Sequence, residues 1–349
     1  MSQGDASVRR ITARSTVQDT RGRGLRDLRI SVIDRCNFRC PYCMPAEIYG
    51  EGHQFLRRTE WLTPGEIRRV AGLFQRLGVA KLRITGGEPL LRKDLDEIIA
   101  GLAGLEGIED IALTTNGTRL AERARELSAA GLKRITVSVD SIDPEIFSAM
   151  SGERGSLDTA LAGIDAARAA GFDAIKVNVT VLKGQNDHAV LDLVEFFRGS
   201  GVIVRFIEFM DVGTLNGWKA DQVVASETLR DLIHARWPIE PLEQNYRGEV
   251  ARRYGFRDGR GEIGFISSVT EPFCGDCHRA RVSANGTLYT CLFANAGTDL
   301  RGPLRAGASD ADLVALMQNV WRRRADRYSE IRGKAIKASD RVEMYRMGG

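Results

Sequence analysis

Long apolar runs are missing from this sequence. No stretch approaches the roughly 20 residues needed to span a bilayer, and no signal-peptide core stands near the start. Aromatic residues make up only 7% of the chain, which is sparse for the stacking surface of a nucleic-acid-binding protein. No GxGxxG motif opens a helix, so a doubly wound dinucleotide-binding domain has no support. We expect a cytoplasmic protein that binds neither membrane nor nucleic acid.

A large excess of either charge is also missing. Lys and Arg number 50 against 46 for Asp and Glu, a mild positive balance that suits an anionic substrate if the arginines cluster. Residues 1–24 are polar and rich in arginine, so we expect a mobile N-terminal extension there. The 349 residues suffice for one large α/β barrel with a smaller appended region.

The six cysteines fall into two groups of three, with none left over. The first trio follows an apolar strand at CxxxCxxC spacing and consists of Cys36, Cys40 and Cys43. Three thiolates this close can converge on zinc, copper(I) or an iron-sulfur cluster. Structural zinc usually takes four protein ligands, whereas a cubane held by three cysteines leaves one iron free for another ligand. The spacing alone does not decide between them.

A predicted hairpin organises the second trio, which consists of Cys274, Cys277 and Cys291. The dipeptide 285–286 (Asn-Gly) between alternating runs favours a two-residue turn. Ala284 would then face Thr287, and Cys291 would lie opposite Ala280, beside the other two cysteines. This register predicts a single three-cysteine site.

The residues directly after Cys277 allow two interpretations. His278 is a candidate fourth ligand, which would make the site a Cys3His zinc knuckle. Arg279 and Arg281 stand two apart on one strand, so both project from the same face. Such a pair suits contacts to phosphate or to a purine oxygen, and a solvated sheet face is the alternative.

Six strands alternate with helices through the first two thirds of the chain, which predicts a parallel sheet with right-handed crossovers. Polar motifs follow each strand, at the edge where βα barrels carry their chemistry. We therefore predict an α/β protein: an incomplete (βα)6 TIM-like barrel over residues 25–211, with an α+β extension over 212–349. The predicted strands are 28–33, 81–85, 111–115, 134–139, 175–182 and 202–210.

At this point the motifs resemble a known family. CxxxCxxC followed by GGEP at 86–89 resembles the radical S-adenosylmethionine (SAM) superfamily. The second trio, the CHRAR segment at 277–281 and the final Gly-Gly are similar to the GTP 3′,8-cyclases of molybdenum cofactor biosynthesis. The resemblance covers residues 27–349.

This resemblance implies a radical SAM barrel with two 4Fe-4S clusters, one on each trio, with SAM on the open iron of the first and the guanine of GTP on the second. It implies SAM contacts at Tyr42, Gly87, Ser138 and Met210. It implies GTP contacts at Arg29, Arg83, Thr114, Lys176, Arg279, the backbone of Ala280, and Arg281. Catalytic roles are implied for the first trio, for Arg279 and Arg281, and for the tail residues Gly348 and Gly349.

The implied partners are GTP, a one-electron donor and, as the next enzyme of the pathway, cyclic pyranopterin monophosphate synthase. A monomer or a homodimer is expected. Two other hypotheses remain at this stage: another radical SAM enzyme with an auxiliary cluster, such as a peptide-modifying one, and a zinc-stabilised nucleic-acid-binding protein.

Overall fold

A computed structural model describes residues 17–172, 174–332 and 341–348. Its strands are β1 (Asp27–Ser31), β2 (Lys81–Thr85), β3 (Asp110–Thr115), β4 (Arg134–Ser138), β5 (Ile175–Val181), β6 (Ile203–Glu208), β7 (Ile239–Leu242), β8 (Arg252–Phe256), β9 (Glu262–Ile266), β10 (Arg279–Val282), β11 (Thr287–Tyr289) and β12 (Thr298–Asp299). Its helices are α1 (Pro64–Arg76), α2 (Leu95–Ala103), α3 (Leu120–Ala129), α4 (Pro144–Met150), α5 (Leu157–Ala169), α6 (Val190–Phe197), α7 (Ser226–Arg236), α8 (Arg301–Arg305), α9 (Asp310–Arg322), α10 (Tyr328–Ile331) and α11 (Met344–Met347). None of these helices is long and apolar enough to cross a membrane.

Strands β1 to β6 lie side by side in chain order, and each pair is parallel, which confirms the predicted six-strand barrel. Successive side chains on a strand point to opposite faces. In β1, Leu28 and Ile30 are buried in the main hydrophobic core, whereas Arg29 faces the interior of the barrel. The helices cover the apolar face, so the polar inner positions are left to form a site.

The C-terminal region adds strands to both edges of this sheet. Strand β9 pairs parallel with β6, and β10 pairs parallel with β1. The antiparallel strands β8 and β7 follow β9, and β11 and β12 follow β10, giving one twelve-stranded sheet. The predicted α+β extension is therefore not a separate layer: it continues the barrel wall at both ends.

The hairpin of β10 and β11 corrects the predicted register by one residue. Val282 pairs with Leu288, and the Ser283 N–H donates to the Thr287 carbonyl at 3.0 Å, so the loop has three residues instead of two. Gly286 has a φ of +78°, which suits the third position of a loop closed by a bulge. Cys291 consequently does not lie opposite Ala280, and it falls beyond the end of β11.

The expectation of a mobile N-terminal extension is wrong for its last residues. Asp19 and Arg23 are buried, and the Val17 N–H donates to the Leu77 carbonyl at 3.3 Å. Residues 1–16 lie outside the described part of the chain. The polar composition of residues 17–24 suggests mobility, but the charged side chains of this segment bind partners in the C-terminal region.

Candidate active site

The inward side chains of the sheet enclose a cavity of about 1630 Å³. Its wall includes all six cysteines, although the first trio follows β1 and the second trio flanks β10. The adjacency of β1 and β10 explains how segments from opposite ends of the sequence share one space. A cavity of this volume can hold two ligands of nucleotide size together.

Arg39 shapes the loop that carries the first trio. Its guanidinium donates to the carbonyls of Cys36 at 2.8 Å, Phe38 at 2.7 Å and Tyr49 at 2.6 Å. Its backbone lies so close to Gly152 that a Cβ there would collide with the Arg39 carbonyl. One buried cation thus fixes three backbone carbonyls around the cysteines.

The GGEP segment is packed directly against this loop. A Cβ on Gly87 would overlap the carbonyl of Arg35, and the Glu88 N–H donates to that same carbonyl at 2.8 Å. The Glu88 carboxylate accepts from Thr115 Oγ1 and the Asn116 N–H, each at 2.7 Å, and burial raises its pKa to about 7. Glu88 therefore joins two strand-end motifs, and protein donors occupy its oxygens.

The chemistry of the first trio fits a soft metal centre. Burial raises the pKa of Cys36 and of Cys43 to about 12, and that of Cys40 well above its ordinary value. Three thiolates here thus need a bound cationic centre. Among the described residues, no three Cys, His, Asp or Glu side chains are grouped to hold a single metal ion. Soft thiolate donors of this kind suit an iron-sulfur cluster or zinc, and all three cysteines line the cavity, where a further ligand could lie beside them.

The four predicted SAM contacts, Tyr42, Gly87, Ser138 and Met210, all line the same cavity as this trio. Tyr42 Oη donates to the Asp140 carboxylate at 2.7 Å, and the other oxygen of Asp140 accepts from the Thr180 N–H at 2.8 Å. Burial raises the pKa of Asp140 to about 6. Asp140 therefore links strand β5 to Tyr42, which lies between Cys40 and Cys43 in the sequence.

The second trio has a different electrostatic setting. Burial alone would raise the pKa of Cys277, but the cations of Arg279, Arg324 and Arg281 hold it well below its ordinary value. Arg279 Nη2 donates to Cys277 Sγ at 3.5 Å. The imidazole of His278 points away, with Nε2 3.2 Å from the Arg247 carbonyl and Nδ1 3.5 Å from Asp27, and it is absent from the cavity wall that the described residues form.

The predicted GTP-contacting side chains converge on the cavity. Its wall includes Arg29, Arg83, Thr114, Lys176, Arg279 and Arg281. Burial and the neighbouring arginines lower the pKa of Arg29 well below its ordinary value and that of Arg281 to about 10. Buried guanidinium nitrogens of Arg279 and Arg281 have no hydrogen-bond partner within the described chain. Ala280 is fully buried and is not among the described residues that line this wall, so its predicted backbone contact stays a prediction.

Comparison with known proteins places this site in a family. The model described as the radical SAM superfamily matches residues 30–197, and that described as Molybdenum Cofactor Synthesis C matches residues 202–330. A GTP 3′,8-cyclase of Xanthomonas campestris pv. campestris is 54% identical over 333 residues, covering 95% of this chain and 97% of the relative. The chain belongs to the GTP 3′,8-cyclase family. A GTP 3′,8-cyclase of Acidothermus cellulolyticus is 53% identical over 320 residues, covering 90% of this chain and 88% of the relative.

Solved structures share the fold of this GTP 3′,8-cyclase family member at low identity. Streptococcus suis SuiB bound to a precursor peptide has a TM-score of 0.59 at 14% identity, covering 93% of this chain and 70% of that chain. SuiB bound to S-adenosylmethionine has a TM-score of 0.57 at 15% identity, covering 76% of this chain and 60% of that chain. This likeness shows the fold alone, so it gives no support to the peptide-modifying hypothesis. Family membership excludes the zinc-stabilised nucleic-acid-binding protein.

Five cavity cations of this family member were missed in the sequence: Lys81, Lys133, Arg134, Arg205 and Arg253. Lys81 is two residues before Arg83, so counting by twos along β2 would have found it. Arg205 on β6 is paired in register with Asn178, and burial and nearby arginines lower its pKa to about 9. A single inward arginine gives no pattern in the sequence, because only strand pairing tells which face it occupies.

The C-terminal tail covers the rim beside the first trio. Met344 lines the cavity, and Gly348 lies so close to Thr85 that a Cβ would collide with its side chain. Gly349 lies outside the described residues.

Asp211, just after β6, fastens this tail. Its carboxylate accepts from Tyr328 Oη, from Arg332 Nε at 2.8 Å and from Arg341 Nη1 at 2.9 Å. Burial acts to raise the pKa of Asp211, but these donors outweigh it and hold that pKa below its ordinary value. One carboxylate thereby binds residues on both sides of the segment 333–340.

Proposed function

We propose that the chain converts GTP to (8S)-3′,8-cyclo-7,8-dihydroguanosine 5′-triphosphate in molybdenum cofactor biosynthesis. The observation that carries this proposal is that both cysteine trios and a set of buried cations line one cavity. The reaction joins ribose C3′ to guanine C8, so one nucleotide has to be held at its base and at its phosphates together.

The first trio would hold a 4Fe-4S cluster, and Tyr42, Gly87, Ser138 and Met210 would bind SAM beside it. When bound, these two groups supply a one-electron cleavage of a carbon-sulfur bond and a 5′-deoxyadenosyl radical that removes hydrogen from C3′. The protein residues keep Tyr42 oriented through Asp140 and the cysteine loop through Arg39. Enclosure within the barrel keeps water from the reacting carbon.

The buried cations would bind the triphosphate. Arg29, Arg83, Lys176 and Arg205 come from four different strands and face one volume. They repel one another, which is why the pKa of Lys176, already reduced by burial, falls further to about 7. One phosphate charge at about 4 Å from a guanidinium gains on the order of 4 kcal/mol at an effective dielectric constant of about 20. A polyanion therefore relieves the repulsion and adds attraction.

The second trio would hold a second 4Fe-4S cluster that keeps one iron open for the guanine. Arg279, Arg281 and the Ala280 backbone lie next to Cys277 and would contact the base and its phosphates. The orientation of His278 away from the cavity supports an iron left open at that site instead of a fourth protein ligand. Gly348, together with Gly349, would complete the cavity wall beside Thr85.

Other participants follow from the chemistry. The hydrogen taken from C3′ leaves on 5′-deoxyadenosine, so an external donor has to supply one electron to cleave SAM and another, with a proton, to the cyclised nucleotide. The product would be the substrate of cyclic pyranopterin monophosphate synthase. A monomeric or homodimeric cytoplasmic protein remains a prediction.

The test is anaerobic incubation of the reconstituted full chain with SAM, dithionite and GTP. We expect 5′-deoxyadenosine to form when GTP is present and far less of it with ATP. Cys36→Ala should abolish 5′-deoxyadenosine, whereas Cys291→Ala should leave the first site able to cleave SAM but uncouple that cleavage from GTP. Formation of 5′-deoxyadenosine at the same rate without GTP would overturn the proposed substrate.

A further inference from the structure

A buried ionic cluster lies outside the cavity, behind the second trio. We call Asp19, Arg23 and Arg324 the Asp19 cluster. Arg23 Nε is 2.7 Å and Arg324 Nη1 is 3.2 Å from the same carboxylate oxygen of Asp19. The exposed fractions of these side chains are 0% for Asp19, 3% for Arg23 and 1% for Arg324. None of the three belongs to the cavity wall formed by the described residues, so the proposed reaction does not use them directly.

The two guanidiniums reach the backbone at all three cysteines of the second trio. Arg23 Nη1 donates to the Cys274 carbonyl at 2.7 Å. Arg324 Nη1 donates to the Cys277 carbonyl at 2.6 Å, and its Nε donates to the Thr290 carbonyl, next to Cys291, at 3.0 Å. The planar fork of arginine can make such contacts in several directions at once, which a lysine cannot.

The cluster is itself held rigidly. Asp19 Oδ1 accepts from the N–H groups of Arg21 and Arg23, each at 2.9 Å, which fixes the turn. Thr20 Oγ1 donates to the Arg324 carbonyl at 2.7 Å. Trp321 Nε1 donates to the Arg23 carbonyl at 3.1 Å, and the Arg324 guanidinium lies 4.5 Å from the centre of the Trp321 ring. The N-terminal segment and the end of α9 therefore form one unit.

Stability alone is a weak explanation for this arrangement. Burying an ion pair costs about as much in desolvation as it returns in attraction, so replacement by apolar residues is often neutral. The cluster does fix the geometry of whatever its donors contact. A second carboxylate, that of Asp326, lies 3.4 Å from Arg324 Nε, so the two guanidiniums are balanced by two carboxylates and the cluster acts through geometry, not through net charge.

We propose that Asp19, Arg23 and Arg324 are positioning residues for the second trio, holding its three cysteines in the spacing that the second 4Fe-4S cluster requires. This inference rests on the proposed function, which assigns a cluster to that trio. Residues that orient metal ligands typically change metal affinity or activity by 10- to 100-fold when they are removed.

The test compares three variants of the full chain after anaerobic reconstitution. Arg324→Met removes the charge and every donor, Arg324→Lys keeps the charge without the fork, and Arg323→Met is the control, since Arg323 is an exposed neighbour. The measurements are iron and sulfide content and the rate of iron release to a chelator. Wild type and Arg323→Met should hold about eight irons, in two cubanes. Arg324→Met should release about four of them roughly 10- to 100-fold faster, and Arg324→Lys should resemble it.

The first cluster serves as an internal reference, read from the change that SAM causes in its electron paramagnetic resonance spectrum. That change should persist in Arg324→Met. If Arg324→Met retains about eight irons with wild-type release, the positioning inference is wrong and the proposed function stands. If wild type itself holds only about four, the second cluster of the proposed function is wrong. Should Arg324→Met lose both clusters, the isosteric Asp19→Asn decides: selective loss from the second trio supports the inference, and equal loss from both trios overturns it.

Discussion

Lys176 should take up a proton when GTP binds. Burial, followed by the charges of Arg205 and Arg134, lowers its pKa to about 7 in the protein alone. A triphosphate placed among these cations favours the charged form of lysine and raises that pKa again. Binding is therefore strongest when Lys176 is already protonated, and it weakens as the pH rises above about 7.

The magnitude follows from the pKa values. At pH 8 a lysine with a pKa of about 7 is only about one-tenth protonated, so binding should take up about 0.9 proton. Arg205, with a pKa of about 9, is about nine-tenths protonated at that pH and adds about 0.1. The terminal phosphate titrates near pH 6 and contributes little above pH 7.5. The dissociation constant for GTP should then rise about tenfold per pH unit between roughly pH 7.5 and 9.

Isothermal titration calorimetry at pH 8, in two buffers of different ionisation enthalpy, measures the proton uptake. Lys176→Met should lower the uptake by about 0.9 proton, the share of Lys176. The control is Lys183→Met, because Lys183 is exposed and lies outside the cavity wall, and it should match wild type. Equal uptake in wild type and Lys176→Met, or no uptake in wild type, would refute this reasoning.

Three further outcomes are expected. Arg205→Met should weaken GTP binding by about ten- to a hundredfold, through loss of a charged hydrogen bond, while the exposed control Arg322→Met should not; equal affinities in a titration would contradict this. Gly152→Ala should lower the free energy of unfolding by about 1–3 kcal/mol more than Gly184→Ala. Both glycines have a positive φ, but only a Cβ at position 152 would collide with the backbone of the cysteine loop. Equal melting temperatures for the two variants would count against this reasoning. Asp211→Asn should speed proteolytic cleavage of the C-terminal tail about tenfold, and an unchanged rate would dismiss its role as an anchor.

Much of the barrel could be predicted from the sequence because its signals are local. Each strand is a short apolar run ended by a polar motif, and parallel neighbours joined by a helix leave few topologies. The start of α1 is equally local: the Thr63 N–H donates to the Glu66 carboxylate at 2.8 Å, and the Glu66 N–H donates to Thr63 Oγ1 at 3.2 Å. The division of the six cysteines into two trios was predicted from their spacing in the sequence alone.

What could not be predicted depends on contacts between distant segments. The hairpin register failed by one residue because Asn285-Gly286 is compatible with both a two-residue and a three-residue loop. Arg205 was missed because its facing is fixed by pairing with β5 and β9. The segment 17–24 looked mobile because the partners of its charges stand near the other end of the chain.

The pairing of β1 with β10 has a consequence for how the protein is made. Asp27 emerges early from the ribosome, whereas its neighbour Arg279 is synthesised near the end, so this edge of the wall stays open during most of translation. Contacts between such distant segments form late and slowly. Cys36, Cys40 and Cys43 are thus synthesised long before Cys274, Cys277 and Cys291, so the second trio joins the cavity wall only after most of the chain has been made.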